Sequence, residues 1–133
     1  MNGRVEVGDS LPPLRLPAIS RTTLALYAGA SGDHNPVHID LDEARAVGFE
    51  DVIAHGMLSM AYLGRLLTHW APQRRIRSYG VRFTAMTPPH AEPTCTGTVS
   101  AIDGGIARLD IAVTLADGTV TLRGTAVIAL ADD

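Results

Sequence analysis

Alternating apolar residues in the C-terminal half limit what this chain can fold into more than any other feature of its sequence. In the segment 106–115 the odd positions from 107 onward are apolar, and in the segment 119–130 most of the even positions are apolar. Side chains of a strand point alternately to its two faces, so this pattern predicts two strands that each bury one face. The turn sequences DGG at 103–105 and DG at 117–118 predict hairpins at the ends of these strands.

One helix in the N-terminal half is predicted to pack against the strands. The segment 55–70 carries apolar residues around nearly its whole circumference: Met57, Leu58, Met60, Ala61, Leu63, Leu66 and Leu67. Such a helix is expected to be buried on most sides. Segments 76–83 and 93–102 predict two further strands, and the segment 4–20 offers another. An antiparallel meander of four or five strands wrapped around one central buried helix is an α+β layout, the hot-dog arrangement.

Composition and charge argue against several other kinds of protein. The 133 residues are most simply one domain, 1–133, and 46% hydrophobic with 19% charged residues is typical of a folded chain. All eleven basic residues are Arg, yet the net charge is −3, which argues against a nucleic-acid partner. Cys95 is the single cysteine, so no internal disulfide can form and a reducing cytoplasm is the expected compartment.

The N-terminus lacks a signal-peptide pattern, and no segment predicts a membrane span. The longest apolar run lies around residues 56–67, whereas a helix that crosses a bilayer takes about 20 residues. We therefore expect no membrane association.

The loop SGDHNPVH, residues 31–38, concentrates titratable groups between two predicted short helices, 20–32 and 40–49. Pro36 fixes its own φ and keeps Asn35 out of the helical region, so the loop is stiff. Asn35 can bond to nearby backbone and hold the turn. A carboxylate, Asp33, and an imidazole, His38, can then converge on one point. Histidine exchanges protons near neutral pH, and an aspartate in an apolar cleft would have a raised pKa suited to acid catalysis.

A second chemical feature is the sequence AHGML, residues 54–58, at the start of the predicted central helix. The first amides of a helix have no intrahelical acceptor, and Gly56 lets a ligand approach the backbone closely. Such amides, with the helix dipole, suit a carbonyl oxygen that gains negative charge. An acid/base pair together with this oxyanion site describes reversible addition of water to a double bond conjugated to a carbonyl.

The string YAGASGDHNPVHID followed by AHGMLSM resembles the MaoC-like (R)-specific enoyl-thioester hydratases and dehydratases. The resemblance is strongest over 27–60. It implies that Asp33 and His38 are the catalytic pair, that the Gly56 amide binds the thioester oxygen, and that Asn35 and Pro36 support the loop. It also implies a substrate carried as a coenzyme A or phosphopantetheine thioester, with no other cofactor and with an acyl carrier protein as a possible partner. Gly64 stands where some members have a serine that orients the pair.

Other roles for the histidines and methionines stay open at this stage. His34, His38, His55 and Asp33 could instead be metal ligands, but the prolines and the absence of a helical H-x-x-x-H face argue against zinc, so we expect no metal. The ring of His55 is expected to bond to backbone at the helix start. His55, Met57 and Met60 are also candidates for the wall of an acyl channel.

Arg74, Arg75 and Arg77 form a basic cluster ahead of a strand. They could be a solvated strand end, or they could contact the phosphates of coenzyme A or phosphopantetheine, as could Arg82.

Two rival functions remain for the same fold. A hot-dog thioesterase needs a carboxylate on the central helix, and no acidic residue occurs between 55 and 70. A non-catalytic or acyl-binding subunit of a hetero-oligomeric dehydratase is disfavoured by the intact Asp33 and His38. We expect a dimer, because a single wrapped sheet leaves an open edge, and the partner could be an identical or a different chain.

Overall fold

The computed structural model describes residues 3–133. Its helices are α1 (Arg21–Ser31), α2 (Leu41–Ala46) and α3 (Gly56–Trp70), with single 3-10 turns at Pro36–His38 and Gln73–Arg75. Its strands are β1 (Leu14–Arg15), β2 (Ile76–Phe83), β3 (Thr94–Asp103), β4 (Ile106–Thr114) and β5 (Val120–Ala129). The predicted α+β hot-dog architecture is confirmed, and the predicted strands in the C-terminal half match to within one or two residues.

The five strands form one antiparallel sheet in the order β1-β3-β4-β5-β2. Strands β3, β4 and β5 are a meander, as the turn sequences predict. Gly104 and Gly105 both have positive φ in the first turn, and so does Gly118 in the second, a conformation that glycine adopts without steric cost. The prediction of a full meander was wrong for β2, which pairs with β5 rather than with its neighbour in sequence, β3.

Helix α3 lies against one face of this sheet. The buried residues shared by helix and sheet include Leu63, Leu66, Leu67, Val99, Leu109, Val113, Leu122 and Ile128. The opposite side of α3 is open, because Met57 is 54% exposed and Ala61, Arg65 and Thr68 are exposed too. Apart from this side and His69, α3 is buried or partly buried, so the expected central buried helix is confirmed except along one face. These four exposed residues are three or four positions apart, so they form a stripe on one helix face, away from the sheet.

A second, smaller core fixes the region before α3. It joins α1 and α2 to the start of α3 through the buried residues Ile19, Leu24, Ala44, Val52, Ala54 and Leu58. The loop that carries the predicted functional residues runs between α1 and α2, so this core holds the loop at the N-terminal end of α3.

No helix in residues 3–133 combines the length and the apolar character needed to cross a membrane.

Candidate active site

The loop between α1 and α2 is shaped by local hydrogen bonds. Gly32 ends α1 in the left-handed region, with φ of 78°, and its N–H donates to the Ala28 carbonyl at 3.0 Å. The N–H of Asn35 donates to Asp33 Oδ1 at 3.2 Å, and the N–H of Val37 donates to Asn35 Oδ1 at 3.2 Å. The Asn35 side chain thus caps the 3-10 turn that starts at Pro36. These are local side-chain to backbone bonds of the kind that favour turns.

The bend places the two predicted catalytic side chains side by side. Asp33 Oδ2 lies 3.7 Å from His38 Nε2, close enough for an electrostatic attraction but beyond an ordinary hydrogen bond. The His38 side chain is 12% exposed, whereas that of Asp33 is 51% exposed. The carboxylate therefore faces solvent, and residues 3–133 do not form the apolar cleft that acid catalysis by Asp33 would favour.

The protonation pattern of His38 follows from its backbone contact. Its Nδ1 lies 2.7 Å from the carbonyl oxygen of Ile53, which can only accept a hydrogen bond. Nδ1 must therefore carry a proton. In the neutral ring Nε2 is then the free base, and Nε2 is the atom that faces Asp33.

His55 joins this pair from the start of α3, and it is only 1% exposed. Its Nε2 lies 3.1 Å from the backbone carbonyl of Asp33, as the expected bond from ring to backbone requires. Its ring stacks on that of His38, with centroids 3.9 Å apart and planes 24° apart, and the edge of Tyr27 meets it at 4.8 Å. Burial lowers the pKa of His55 below its ordinary value.

Asp33, His38 and His55 bring possible metal-ligand atoms within 4.8 Å of one another. A histidine ligates through a lone pair that lies in its ring plane, and two nearly parallel rings stacked at 3.9 Å cannot aim those lone pairs at one ion. His38 Nδ1 and His55 Nε2 also already point at carbonyl oxygens. This geometry suits an acid/base pair whose neighbouring imidazoles are held by backbone hydrogen bonds better than it suits metal coordination.

Gly56 is the first residue of α3, and no side chain caps the helix at His55. The Gly56 amide therefore lies at the positive end of the helix without an intrahelical acceptor. A Cβ added at Gly56 would lie 2.9 Å from two carbons of the Phe83 ring. Phe83, which is 52% exposed, was not predicted from the sequence, because it follows the glycine by many residues and reaches it only through the packing of β2.

The other predicted site residues are spread around α3. Met57 is half exposed next to Gly56, while Met60 is partly buried against the main core. The backbone carbonyl of Met60 accepts a hydrogen bond from the Tyr79 hydroxyl. Gly64 has the Tyr79 hydroxyl 3.8 Å from the position of a Cβ. A cleft of about 440 Å³ is lined by Ile53 and by Phe49, Met86, Pro88 and Pro89, among others.

Three of the four arginines considered for phosphate contacts bind carboxylates of the chain itself. Arg74 and Arg75 both bond to Asp132, at 2.8 Å in each ion pair, and Arg77 bonds to Asp133 at 2.8 Å. Arg82 lies opposite Arg123 in the register of β2 and β5. A phosphate that binds the first three would have to displace these carboxylates.

Known proteins resemble this chain in sequence and in fold. It is 33% identical over 98 residues to a mitochondrial 3-hydroxyacyl-(acyl-carrier-protein) dehydratase of Arabidopsis thaliana, covering 74% of this chain but only 57% of that protein. It is 30% identical over 106 residues to the beta subunit of a 3-oxo-4,17-pregnadiene-20-carboxyl-CoA hydratase of Mycobacterium tuberculosis, covering 79% and 81% of the two chains.

A solved structure of an (R)-hydratase from A. caviae involved in PHA biosynthesis superposes with a TM-score of 0.85 at 27% identity, over 96% of this chain and 98% of that one. The family model described as MaoC like domain matches residues 9–116. This chain therefore belongs to the MaoC-like domain family.

Proposed function

We propose that this protein is an (R)-specific 2-enoyl-thioester hydratase, which is equally a 3-hydroxyacyl-thioester dehydratase. One observation supports this most directly: Asp33 Oδ2 and the basic nitrogen of His38 face each other at 3.7 Å, and His55, which adjoins Gly56, bonds to the Asp33 carbonyl. The family relatives named as hydratases and dehydratases support the same reaction class.

His38 and Asp33 carry out the two proton transfers of the reaction. His38 Nε2 removes a proton from water while the water oxygen bonds to the β-carbon of a trans-2-enoyl thioester. The electron pair of the double bond moves toward the carbonyl, whose oxygen gains negative charge at the Gly56 amide. Asp33 then delivers a proton to the α-carbon. Proton transfer from His38 to Asp33 restores both groups, and the reverse sequence releases water.

The proposed carrier of the acyl group is coenzyme A or the phosphopantetheine of an acyl carrier protein. The net reaction adds the elements of water and changes no overall oxidation state, so it needs no redox cofactor. We place the whole of 1–133 in one catalytic domain.

We also propose that the chain works as a dimer, formed along the edge strand β2. This strand is at one end of the sheet order and is eight residues long, so its outer side offers unpaired backbone groups. The exposed apolar side chains Met57, Phe83 and Met86 add surface that a partner would cover. A second copy is the simplest partner, although a relative named as a beta subunit favours a different chain as the second candidate.

The test is hydration of crotonyl-CoA and longer trans-2-enoyl-CoA substrates by the purified protein, followed by the loss of enoyl-thioester absorbance and by chiral analysis of the product. We expect (R)-3-hydroxyacyl-CoA, and we expect Asp33→Asn and His38→Ala each to reduce kcat by about 10²- to 10⁴-fold. His34→Ala, at the exposed neighbouring position, is the matched control and should keep its activity. Full activity in the two site variants would contradict the proposal. It would also be contradicted if neither the monomer nor the dimer turned over an enoyl-CoA of any acyl chain length.

Release of free thiol from saturated acyl-CoA would indicate the thioesterase instead. Light scattering of the protein expressed alone distinguishes the oligomers: a stable dimer supports pairing of identical chains. A monomer that gains hydratase activity only with a second MaoC-like chain would support the hetero-oligomer.

A further inference from the structure

His55 contacts both members of the candidate catalytic pair, although the proposed reaction assigns it no proton transfer. It is hydrogen bonded to the Asp33 backbone carbonyl, 22 residues away in sequence, and it stacks on the His38 ring. Because the ring is 1% exposed and lies beneath His38, it is poorly placed to touch a substrate. We therefore expect His55 to affect the reaction only indirectly, through its contacts with Asp33 and His38.

The contacts of His55 define its charge and its tautomer. The Asp33 carbonyl can only accept, so His55 Nε2 must carry a proton. Burial among Tyr27, His38 and the start of α3 disfavours a second proton, since a charged ring would be desolvated next to another imidazole. The neutral ring therefore leaves Nδ1 as a hydrogen-bond acceptor.

A serine on the next turn of α3 offers the complementary group. Among the residues that the structure describes, two buried side-chain polar atoms have no hydrogen-bond partner, His55 Nδ1 and Ser59 Oγ. His55 is the N-cap residue of α3 and Ser59 lies in the first turns of the same helix, so both orphaned atoms belong to the buried N-terminal end of α3. One is an acceptor and the other is a hydroxyl that can donate, and each would otherwise be left unsatisfied at a cost in free energy.

We propose that His55 is a positioning residue for the Asp33 and His38 pair, and that the Ser59 hydroxyl serves the second nitrogen of His55. The inference rests on the proposed hydratase function and extends it to two residues outside the reacting groups. His55 fixes the backbone of Asp33 from one side and the plane of the His38 imidazole from the other. This support of Asp33 and His38 by His55 does not require a serine at position 64, where this chain has Gly64.

The experiment compares His55→Phe, His55→Gln and Ser59→Ala in the full chain. Phe keeps an apolar ring for stacking but cannot donate to the Asp33 carbonyl, whereas Gln places an amide donor near the position of Nε2. His69→Phe, on an exposed position of the same helix, is the matched control. Each variant is measured for kcat and KM, and nitrogen-15 NMR reports the tautomer and the titration of His38.

We expect His55→Phe to lower kcat on the order of 10²-fold with little change in KM, because misplacement of a catalytic group by about 1 Å has effects of that size. His55→Gln should recover part of the loss, and His69→Phe should match the parent. Ser59→Ala should lower kcat less, and it should have no further effect in the His55→Phe background, since the acceptor it serves is then gone.

The NMR readout separates this inference from the hydratase proposal. If the parent protein has no hydratase activity, the function is wrong, but an altered His38 tautomer or titration in His55→Phe still supports the positioning role. If the parent is active and His55→Phe keeps both its kcat and the His38 signals, the positioning role is wrong. A rise in KM alone would also overturn it, because that outcome assigns His55 to substrate binding.

Discussion

Asp33 Oδ2 lies 3.7 Å from His38 Nε2, while the other ring nitrogen of His38 lies 2.7 Å from the Ile53 carbonyl. The two contacts orient the imidazole by opposite edges. One edge is fixed to the segment that leads into α3, and the other presents a basic nitrogen next to a carboxylate. A small movement of the loop would change the gap between the two groups, so residues that hold the loop should affect the rate.

Loss of the Asn35 cap tests this dependence. Asn35→Ala removes the acceptor for the Val37 N–H, so we expect a loss of about 1 kcal/mol in the free energy of unfolding and a lower kcat. Asp40→Ala is the matched control, because Asp40 caps α2 through the amides of Asp42 and Glu43. Urea unfolding should show similar losses for both variants, whereas hydratase assays should show a large decrease for Asn35→Ala alone. Equal activities in the two variants would contradict the role of the loop.

A methyl group at Gly56 should harm activity more than stability. The Cβ of Gly56→Ala would lie 2.9 Å from the Phe83 ring, but that ring is half exposed and can move. We therefore expect a small change in melting temperature and a clear loss of kcat, since the methyl group obstructs the approach of a thioester oxygen to the amide. The double variant Gly56→Ala with Phe83→Ala removes the clash. Recovery of full activity in it would show that the displaced ring, rather than the blocked amide, caused the loss.

A methyl group at Gly124 should instead destabilise the fold. Its Cβ would lie 1.9 Å from the Gly80 carbonyl oxygen on the neighbouring strand β2, and backbone cannot move aside as a side chain can. We expect Gly124→Ala to cost about 1 to 3 kcal/mol or more, measured by chemical unfolding. Gly29→Ala is the control, because the added Cβ meets no atom within 4 Å and lies in helix α1, where alanine is favoured. If Gly124→Ala and Gly29→Ala have the same free energy of unfolding, β2 and β5 do not approach each other as closely as described.

The buried His55 should make stability depend on pH. Burial lowers its pKa in the folded protein below the ordinary value of 6.5, so the unfolded chain binds a proton more readily. Stability rises with pH wherever the unfolded state holds more protons. The contribution is therefore complete above the unfolded pKa and is lost as the pH falls below about 6.5.

Urea unfolding between about pH 5 and pH 8 measures this slope. His55→Phe should remove the part of the pH dependence that His55 supplies, and the exposed-site control His69→Phe should retain it. The same slope in His55→Phe and in the parent would mean that His55 does not enter the linkage between protonation and folding.

Local sequence determined much of this molecule. Alternating apolar residues specify β4 and β5, since the two faces of a strand alternate with each residue. Asp33 Oδ1 accepts from the Asn35 N–H and Asn35 Oδ1 accepts from the Val37 N–H, and with the rigid ring of Pro36 these bonds form a turn from residues that are neighbours in sequence. For that reason the closeness of Asp33 and His38, five positions apart, could be predicted from the loop alone.

The tertiary structure decided the contacts between residues that are distant in sequence. Pairing of β2 with β5 brings Phe83 against Gly56, and the packing of α1 and α2 on α3 brings His55 under His38. The exposed stripe that includes Met57 was also decided there, because apolar character allows burial but does not specify which face meets the sheet. Such contacts depend on how whole elements pack together, and no short stretch of sequence carries that information.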